Sequence, residues 1–435
     1  AGRGIDLSGV DATNTSFEQS NVTGMNFTNA LFSGVKSGGI IVIVGETQPI
    51  LPSALYSLVN GYFIGPLVDL SGAYLGNATL TNANLTGANL TNSTLAGVKS
   101  GGITTTAVID GTTYTTQPTM PTGYSLTRGY IIGQDMDFTN ADLSGFDFTN
   151  VNLSGTNFTG ANLTYVISGN TAFSESTALP NASYAFLSGF IVGPQINLSS
   201  KNVSGVKFST GTIGGFTLSG SLFMNANFTG ADFSGVVLDG ANFTGATFQR
   251  TSSRNIPQPS VPPTFTAGQT AGYVIRSGYL IGANVDMSLT NLTGFNLSNT
   301  VLTGVNLTGA TLTNVRSGGI SVLSTSQPVL PPKFKVVGGY LHGPWVDLSG
   351  ANLTGLEFDT VANAINWSSA NLTNADFTNM KSGWIEIDSG SGALVTYEGL
   401  QNGGLSKKWT VAVASPVANI NFNNATNGIY IALHI

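Results

Sequence analysis

The chain repeats itself every five residues, a period that suits neither a helix nor a strand. Ala83-Asn84-Leu85-Thr86-Gly87 is followed by Ala88-Asn89-Leu90-Thr91-Asn92. The frame returns in Ala161-Asn162-Leu163-Thr164, Ala241-Asn242-Phe243-Thr244-Gly245 and Ala351-Asn352-Leu353-Thr354-Gly355. A helix repeats about every 3.6 residues and a strand about every 2. A five-residue period needs a chain that turns a corner in every pentad. One large apolar residue, the centre, and a small residue two places before it then both face inward. Asn and Gly supply the corner because they tolerate turn dihedrals that other residues resist.

The centres fall in six runs: Leu7 to Phe32, Leu70 to Leu95, Phe138 to Leu163, Leu198 to Phe248, Met287 to Leu312 and Leu348 to Phe377. They number 42, with Ala12 a small exception, Ile213 inside the long fourth run and a one-residue slip at Ala362. Two residues before the centres of the second run stand Ala73, Ala78, Ala83 and Ala88. This A-(D/N)-L-x-x pattern resembles the pentapeptide-repeat family, and the resemblance spans all six runs, about half of the chain. It implies an all-β fold, a right-handed quadrilateral β-helix with four pentads to a coil. At the ordinary strand spacing of about 4.8 Å per coil, the pentads would make a rod of roughly 50 Å.

A larger module sits on the pentad. Five residues after each run's last centre comes Ser37, Ser100, Ser168, Ser253, Ser317 or Ser382. Five residues before each later run's first centre comes Gly65, Gly133, Gly193, Gly282 or Gly343, with an aromatic three residues upstream: Tyr62, Tyr130, Phe190, Tyr279 or Tyr340. Between stop and restart lie apolar, Pro-containing inserts near 38–64, 101–132, 169–192, 254–281 and 318–342. Pro is absent between the first and last centre of every run, as a hydrogen-bonded ladder requires. The inserts' β-branched residues favour strand over helix. They read as ordered connectors or coils of a second type, and the Pro-rich stretch around Pro262 as the best candidate for a protruding loop. The expected organisation is a solenoid over 1–385 and a C-terminal β cap or docking region over 386–435, with strand-like runs from Trp409 and from Ile429.

Composition narrows the function. Charged residues are 8% of the 435, and the net charge is −6. No basic stripe exists to release counterions from nucleic acid, and no stretch reaches the roughly 20 apolar residues of a membrane-spanning helix. With no Cys there are no disulfides and no thiol nucleophile. The chain opens on Ala1 and enters a repeat at once, which reads as a processed N-terminus with the first coil uncapped.

No residue cluster announces chemistry. His342 stands in a restart phrase where the other copies have Ile64, Ile132, Val192 and Ile281, and His434 is alone. Asp69, Asp137, Asp142, Asp147, Asp232, Asp347 and Asp376 all precede a centre and should face solvent, diluted by Asn. A regular face offers no cleft for paired acids, and stacked Asp diluted by Asn argues against calcium. The expectation is therefore no enzyme, no cofactor and no metal. Asn-x-Ser/Thr sequons are plentiful, yet the pentad writes them by itself. Asn181 and Asn424 lie outside the runs and are the more informative glycosylation candidates, ahead of Asn84 and Asn162. Thr and Ser after the centres should stack into hydroxyl ladders.

The function these features favour is structural: a subunit self-associating end to end into an extracellular filament, sheath or appendage at a cell or virion surface. The first alternative is a binding module using a Thr/Ser-lined face or the insert loops to hold glycan, ice or protein. The second comes from the resemblance, whose members include DNA mimics that block a topoisomerase; the sparse charge and Asn-rich face argue against it.

Overall fold

The computed structural model describes residues 4–209, 217–265 and 272–358, with short stretches beyond them as far as 433–434. No helix occurs among the described residues, and the fold is all-β. Parallel bridges join Asp69 to Asn89, Tyr74 to Thr94, Thr79 to Lys99 and Asn84 to Thr104. Partners twenty residues apart mean that four pentads complete one coil.

The pentad is a type II turn repeated. The Leu70 carbonyl accepts the Ala73 N–H at 3.0 Å, and Gly72 between them has φ +71°. A type II turn needs positive φ at its third residue, which Gly and Asn provide most cheaply. Asn77, Asn82 and Asn92 take that place with φ of 58°, 61° and 61°.

Every N–H of the unit has a partner. Leu70 N–H donates to Asn89 O (2.7 Å) and Gly72 N–H to Thr91 O (2.9 Å), both one coil ahead. Asn89 N–H donates back to Val68 O at 3.0 Å. The remaining N–H, of Ser71, goes to the Asp69 side chain at 3.0 Å. Where Asn, Asp, Thr or Ser precedes a centre it can thus act as a turn cap, its chemistry matched to that one orphan donor.

The centres and the small residues before them form the core. Leu70, Leu75, Leu80, Leu85, Leu90 and Leu95 are buried, as are Ala73, Ala78 and Ala88. In the fourth run, Phe residues one coil apart stack: Phe223 on Phe243 at 5.0 Å and Phe228 on Phe248 at 5.4 Å, nearly parallel.

The inserts coil with the runs. Ile41 pairs with Asn21, Ile50 with Asn26, Thr104 with Asn84, Thr119 with Asn89 and Val329 with Asn306. In place of one pentad, each insert then makes a two-stranded antiparallel hairpin. These are β1 (Ser57–Val59) with β2 (Tyr62–Ile64), β5 (Ser125–Thr127) with β6 (Tyr130–Ile132), and β7 (Ala185–Leu187) with β8 (Phe190–Val192). Next come β9 (Val274–Arg276) with β10 (Tyr279–Ile281), and β11 (Lys335–Val337) with β12 (Tyr340–His342). The second insert adds β3 (Ala107–Ile109) with β4 (Thr112–Tyr114). Each hairpin turns through two residues of positive φ, as at Asn60-Gly61 (49° and 78°) and Asp110-Gly111 (46° and 73°). That is the type I′ turn, whose twist matches paired strands.

Two expectations need correction. The fourth run does not hold its register: Asn202 pairs with Asn227 and Lys207 with Asp232, 25 residues on, while Thr217 and Val237 return to 20. The sequence from Lys207 to Thr217 is thus one pentad longer than that from Asp232 to Val237, with which its ends pair, and Ile213 within it lies outside the described residues. The stretch around Pro262 is not the main protrusion either. Thr264 pairs with Asn242, only two residues beyond the ordinary coil, whereas Asn89 finds Thr119 thirty residues on, past the β3–β4 hairpin.

The chain divides into two compact units, Ala1–Asn197 and Leu198–Ile435. The expected boundary at 385/386 lies where few residues are described. Of the two C-terminal runs, Trp409–Ala412 pairs antiparallel with Leu394–Tyr397, and Leu433–His434 pairs parallel with Ile385–Glu386.

Candidate functional site

The recurring stop and restart residues meet at one junction in each insert. The stop serine accepts an N–H from the hairpin's second strand: Phe63 to Ser37 at 2.9 Å, Ile131 to Ser100 at 3.1 Å and Ile191 to Ser168 at 2.9 Å. Leu280 to Ser253 (2.8 Å) and Leu341 to Ser317 (2.9 Å) complete the set. These serines pin the hairpin to the coil. The restart glycine has a second reason: a Cβ on Gly65, Gly133, Gly193, Gly282 or Gly343 would fall inside the ring of Tyr56, Tyr124, Tyr184, Tyr273 or Phe334. Nine residues upstream of the glycine, that ring was the signal sequence reading missed. The hydroxyls of Tyr56, Tyr184 and Tyr273 donate to backbone carbonyls, Tyr56 to Pro66 O at 3.2 Å, and burial pushes the Tyr56 phenol up to about 12.

Beside the pinned hairpin, three junctions place a cation against an acid one coil on. Lys36 reaches Asp69 at 4.0 Å and Arg316 reaches Asp347 at 2.6 Å. At the second junction, Lys99 and Asp137 line a pocket of about 310 Å3 together with Tyr130, Asn82 and Asn140. Partial burial works against the Asp347 carboxylate, but bonds from Ser349 and Arg316 outweigh it and hold its pKa below the usual range.

Along the outer faces, polar groups bind one another. Asn26 donates to Asp6, Asn89 to Asp69 and Asn162 to Asp142 across adjacent coils, each at 3.0 Å. Acids thus alternate with amides in their columns. Asp142 is held below its usual pKa by the Ser144 side chain and N–H. The hydroxyls of the expected ladder bond within their own turns: Thr28, Thr91 and Thr308, all exposed, donate to the Asn two residues back at 2.6–2.7 Å. Among the described residues no group of three or more His, Cys, Asp or Glu is placed to hold a metal, and no helix is long and apolar enough to cross a membrane.

The sequons separate by geometry. Asn84 is buried, with its amide donating to Thr106 O at 2.8 Å and its Oδ1 taken by Thr86. As a glycosylation site in the folded chain it is excluded by burial. Asn162 is exposed, but its amide is bonded to Asp142. Asn181 is exposed in a turn, its Oδ1 accepting the Ser183 N–H at 2.8 Å. Asn424 lies outside the described residues.

His342 is a core residue. It is fully buried; Trp367 Nε1–H donates to its Nδ1 at 3.3 Å and its Nε2 lies 3.2 Å from Val337 O. An indole can only donate and a carbonyl only accept, so the ring is neutral with its proton on Nε2. Burial lowers its pKa to about 4. The side chain of His434 is not described.

Comparison with known proteins agrees with this geometry. The model of the pentapeptide repeats matches in eight copies over residues 3–36, 68–99, 135–166, 217–252 and 283–316, which fall on the first five runs. Compared by sequence with curated proteins, the chain finds no match. Among solved structures it is similar to HetL from the cyanobacterium Nostoc sp. strain PCC 7120, a pentapeptide repeat protein involved in heterocyst differentiation regulation. That likeness is 16% identity over 74% of this chain and 88% of HetL, with a TM-score of 0.15. It is also similar to QnrB1, a plasmid-mediated fluoroquinolone resistance protein, at 17% identity over 59% of this chain and 83% of QnrB1, with a TM-score of 0.11. The five-residue frame, the twenty-residue coil and these matches agree: the chain carries pentapeptide repeats over those residues.

Proposed function

We propose that the protein is a non-catalytic structural subunit that assembles end to end into a filament, sheath or appendage. The observation that carries this reading is how the coils use their polar groups. Outward Asn, Asp and Thr cap their own turns and bond to the next coil, as Asn89 does to both Thr91 and Asp69. The polar surface serves the scaffold. Successive coils pair by one rule, and a coil edge of this kind is a template for another of its kind. Stacking of that sort is head to tail and does not close. An extracellular or cell- or virion-surface setting is part of the proposal and rests on the exposed sequon at Asn181.

Electron microscopy and light scattering across a concentration series test it. Fibres with an axial repeat of one subunit are expected, and monodisperse single subunits at high concentration would overturn it. A second reading, a binding module, is favoured by the pocket at Tyr130, Lys99 and Asp137. It predicts glycan binding that Tyr130→Ala abolishes. Topoisomerase inhibition by DNA mimicry is disfavoured, because Asp69 and Asp347 are paired with cations.

A further inference from the structure

The second junction is built like the first and the fifth but leaves its polar groups unused. At those two junctions the cation and the acid are paired, Lys36 with Asp69 and Arg316 with Asp347. The hairpin tyrosine is occupied there too: the Tyr62 hydroxyl accepts the Tyr74 N–H and the Tyr340 hydroxyl the Asn352 N–H, both at 3.0 Å. At the second junction Lys99 and Asp137 are bridged through their backbones in the same way. Among the described residues, however, Lys99 forms no ion pair and the Tyr130 hydroxyl has no hydrogen-bond partner. The Asp142 N–H, which corresponds to those of Tyr74 and Asn352, does not reach it.

The carboxylate and two amides are open as well. Elsewhere the Asn of the next coil takes the carboxylate, as Asn89 takes Asp69 and Asn306 takes Asp286. Here the Asn157 amide donates to the Thr139 hydroxyl instead. Thr139 occupies Asp137 Oδ1 with its N–H and its hydroxyl, and Oδ2 stays open. Asn82 and Asn140 stand at left-handed corners, with φ of 61° and 58°. Their Oδ1 atoms lie against Gly102 and Gly160 of the next coil, and their Nδ2 groups donate to nothing among the described residues. Asn140 is particular to this junction, since the residues three after the acid are Gly72 and Gly350 at the other two. Gly101 lets the Tyr130 ring close the pocket. A Cβ there would lie 3.0 Å from the ring, which packs edge-on with Phe138 and Phe146.

We propose that this pocket binds a neutral pyranose, whose adjacent hydroxyls accept from Lys99, Asn82 and Asn140 and donate to Asp137 Oδ2. The inference rests on the binding-module reading above and names its ligand. One carboxylate beside one ammonium leaves the pocket without net charge. That is too few acids for a hard cation, which needs several oxygen ligands, and the acid repels an anion. Ammonium and amide donors, one phenol and one carboxylate suit a ligand whose every group both gives and takes a hydrogen bond, as a sugar hydroxyl does. The volume of about 310 Å3 lies at the small end of ligand pockets and holds a single sugar ring.

The test is saturation-transfer NMR and titration calorimetry on the full chain. The probes are the methyl pyranosides of glucose, galactose and mannose, with glucuronic acid as the anionic control. At least one neutral pyranoside should bind the wild type with a dissociation constant in about the millimolar range. Asn140→Gly installs the residue of the other two junctions at a corner that suits glycine, and Asp137→Asn keeps the turn cap. These two and Lys99→Met, each checked by circular dichroism, should weaken binding at least about tenfold. Binding that Tyr130→Ala abolishes and these three leave unchanged would overturn this assignment while sparing the binding-module reading. Glucuronic acid bound in preference to every neutral sugar, and more tightly by Asp137→Asn, would overturn the neutral ligand. Absence of binding for all four sugars at about 10 mM would overturn the assignment and that reading together.

Discussion

His342 should make the second unit lose stability as pH falls through a window in which the carboxylates are still silent. The ring is neutral in the folded chain with a pKa of about 4, against 6.5 for a free histidine. Between those values the unfolded chain takes up a proton that the folded chain refuses, so unfolding becomes easier as pH drops. Each pH unit is worth about 1.4 kcal/mol, giving a loss of about 2 kcal/mol from pH 6.5 to 5 and about 3 kcal/mol by pH 4. The resolved carboxylate shifts, at Asp347 for example, are downward from 3.8. Stability that depends on them is present above 3.8 and is lost only as pH falls below it. All four Trp residues (Trp345, Trp367, Trp384 and Trp409) belong to the unit Leu198–Ile435, so indole fluorescence during urea unfolding reports on that unit alone. The control is His342→Ile, the residue at the matching place in three other hairpins. It strands the Trp367 N–H and should cost about 1–3 kcal/mol at pH 7. It should also flatten the pH profile between 6.5 and 4.5 and leave the two proteins closely matched near pH 4. Parallel profiles for wild type and variant across that range would refute the assignment of a buried neutral ring.

Ser168→Ala strands the buried Ile191 N–H and should cost about 1–3 kcal/mol, read as a lower melting temperature and faster hydrogen exchange at Ile191. Gly65→Ala drives a methyl into the Tyr56 ring and should cost about 3 kcal/mol; partial rescue by Tyr56→Ala in the double variant is the check. Asn89→Asp keeps the acceptor for Thr91 but faces the Asp69 carboxylate across the coil. It should be destabilising by about 1 kcal/mol at pH 7 and recover as pH falls through the carboxylate range, the reverse of wild-type behaviour; thermal melts at pH 7 and 4 decide it. Phe228→Ala opens a hole in the aromatic stack and should cost about 3–5 kcal/mol in a urea titration.

The coil was legible because its information is local. Inward centres, inward alanines and left-handed Gly or Asn corners all follow from five adjacent residues, as Leu70 to Ala73 show. The hairpins were missed although Asn60-Gly61 and Asp110-Gly111 are strong turn signals; their three-residue strands are too short to show alternation. That the inserts continue the coil was not legible, because the pairing of Ile50 with Asn26 or Asp69 with Lys36 is a property of distant columns. The junction was half legible. Its Ser and Gly stood out by recurrence, but the ring that explains Gly65 lies nine residues away at Tyr56. Asp142 and Thr91 face outward as the pentad implies, whereas Thr23, Thr86 and Thr303, which also follow centres, are buried and Asp376 lies outside the described residues; the bonding of the outward groups to neighbouring Asn showed only in three dimensions.

In the first unit successive inserts advance two and a half coils, so that Ile50 closes in the column of Asn26 and Thr119 half a coil away in that of Lys36 and Asn89, which has a consequence for how such a gene can lengthen. Duplicating one module would carry every downstream loop to the other side of its unit and break any arrangement that depends on facing. Duplicating two would restore the original aspect while adding five coils. The heritable segment is a single module, but the segment that preserves orientation is a pair, so tolerated length variants of this chain should differ by even numbers of modules.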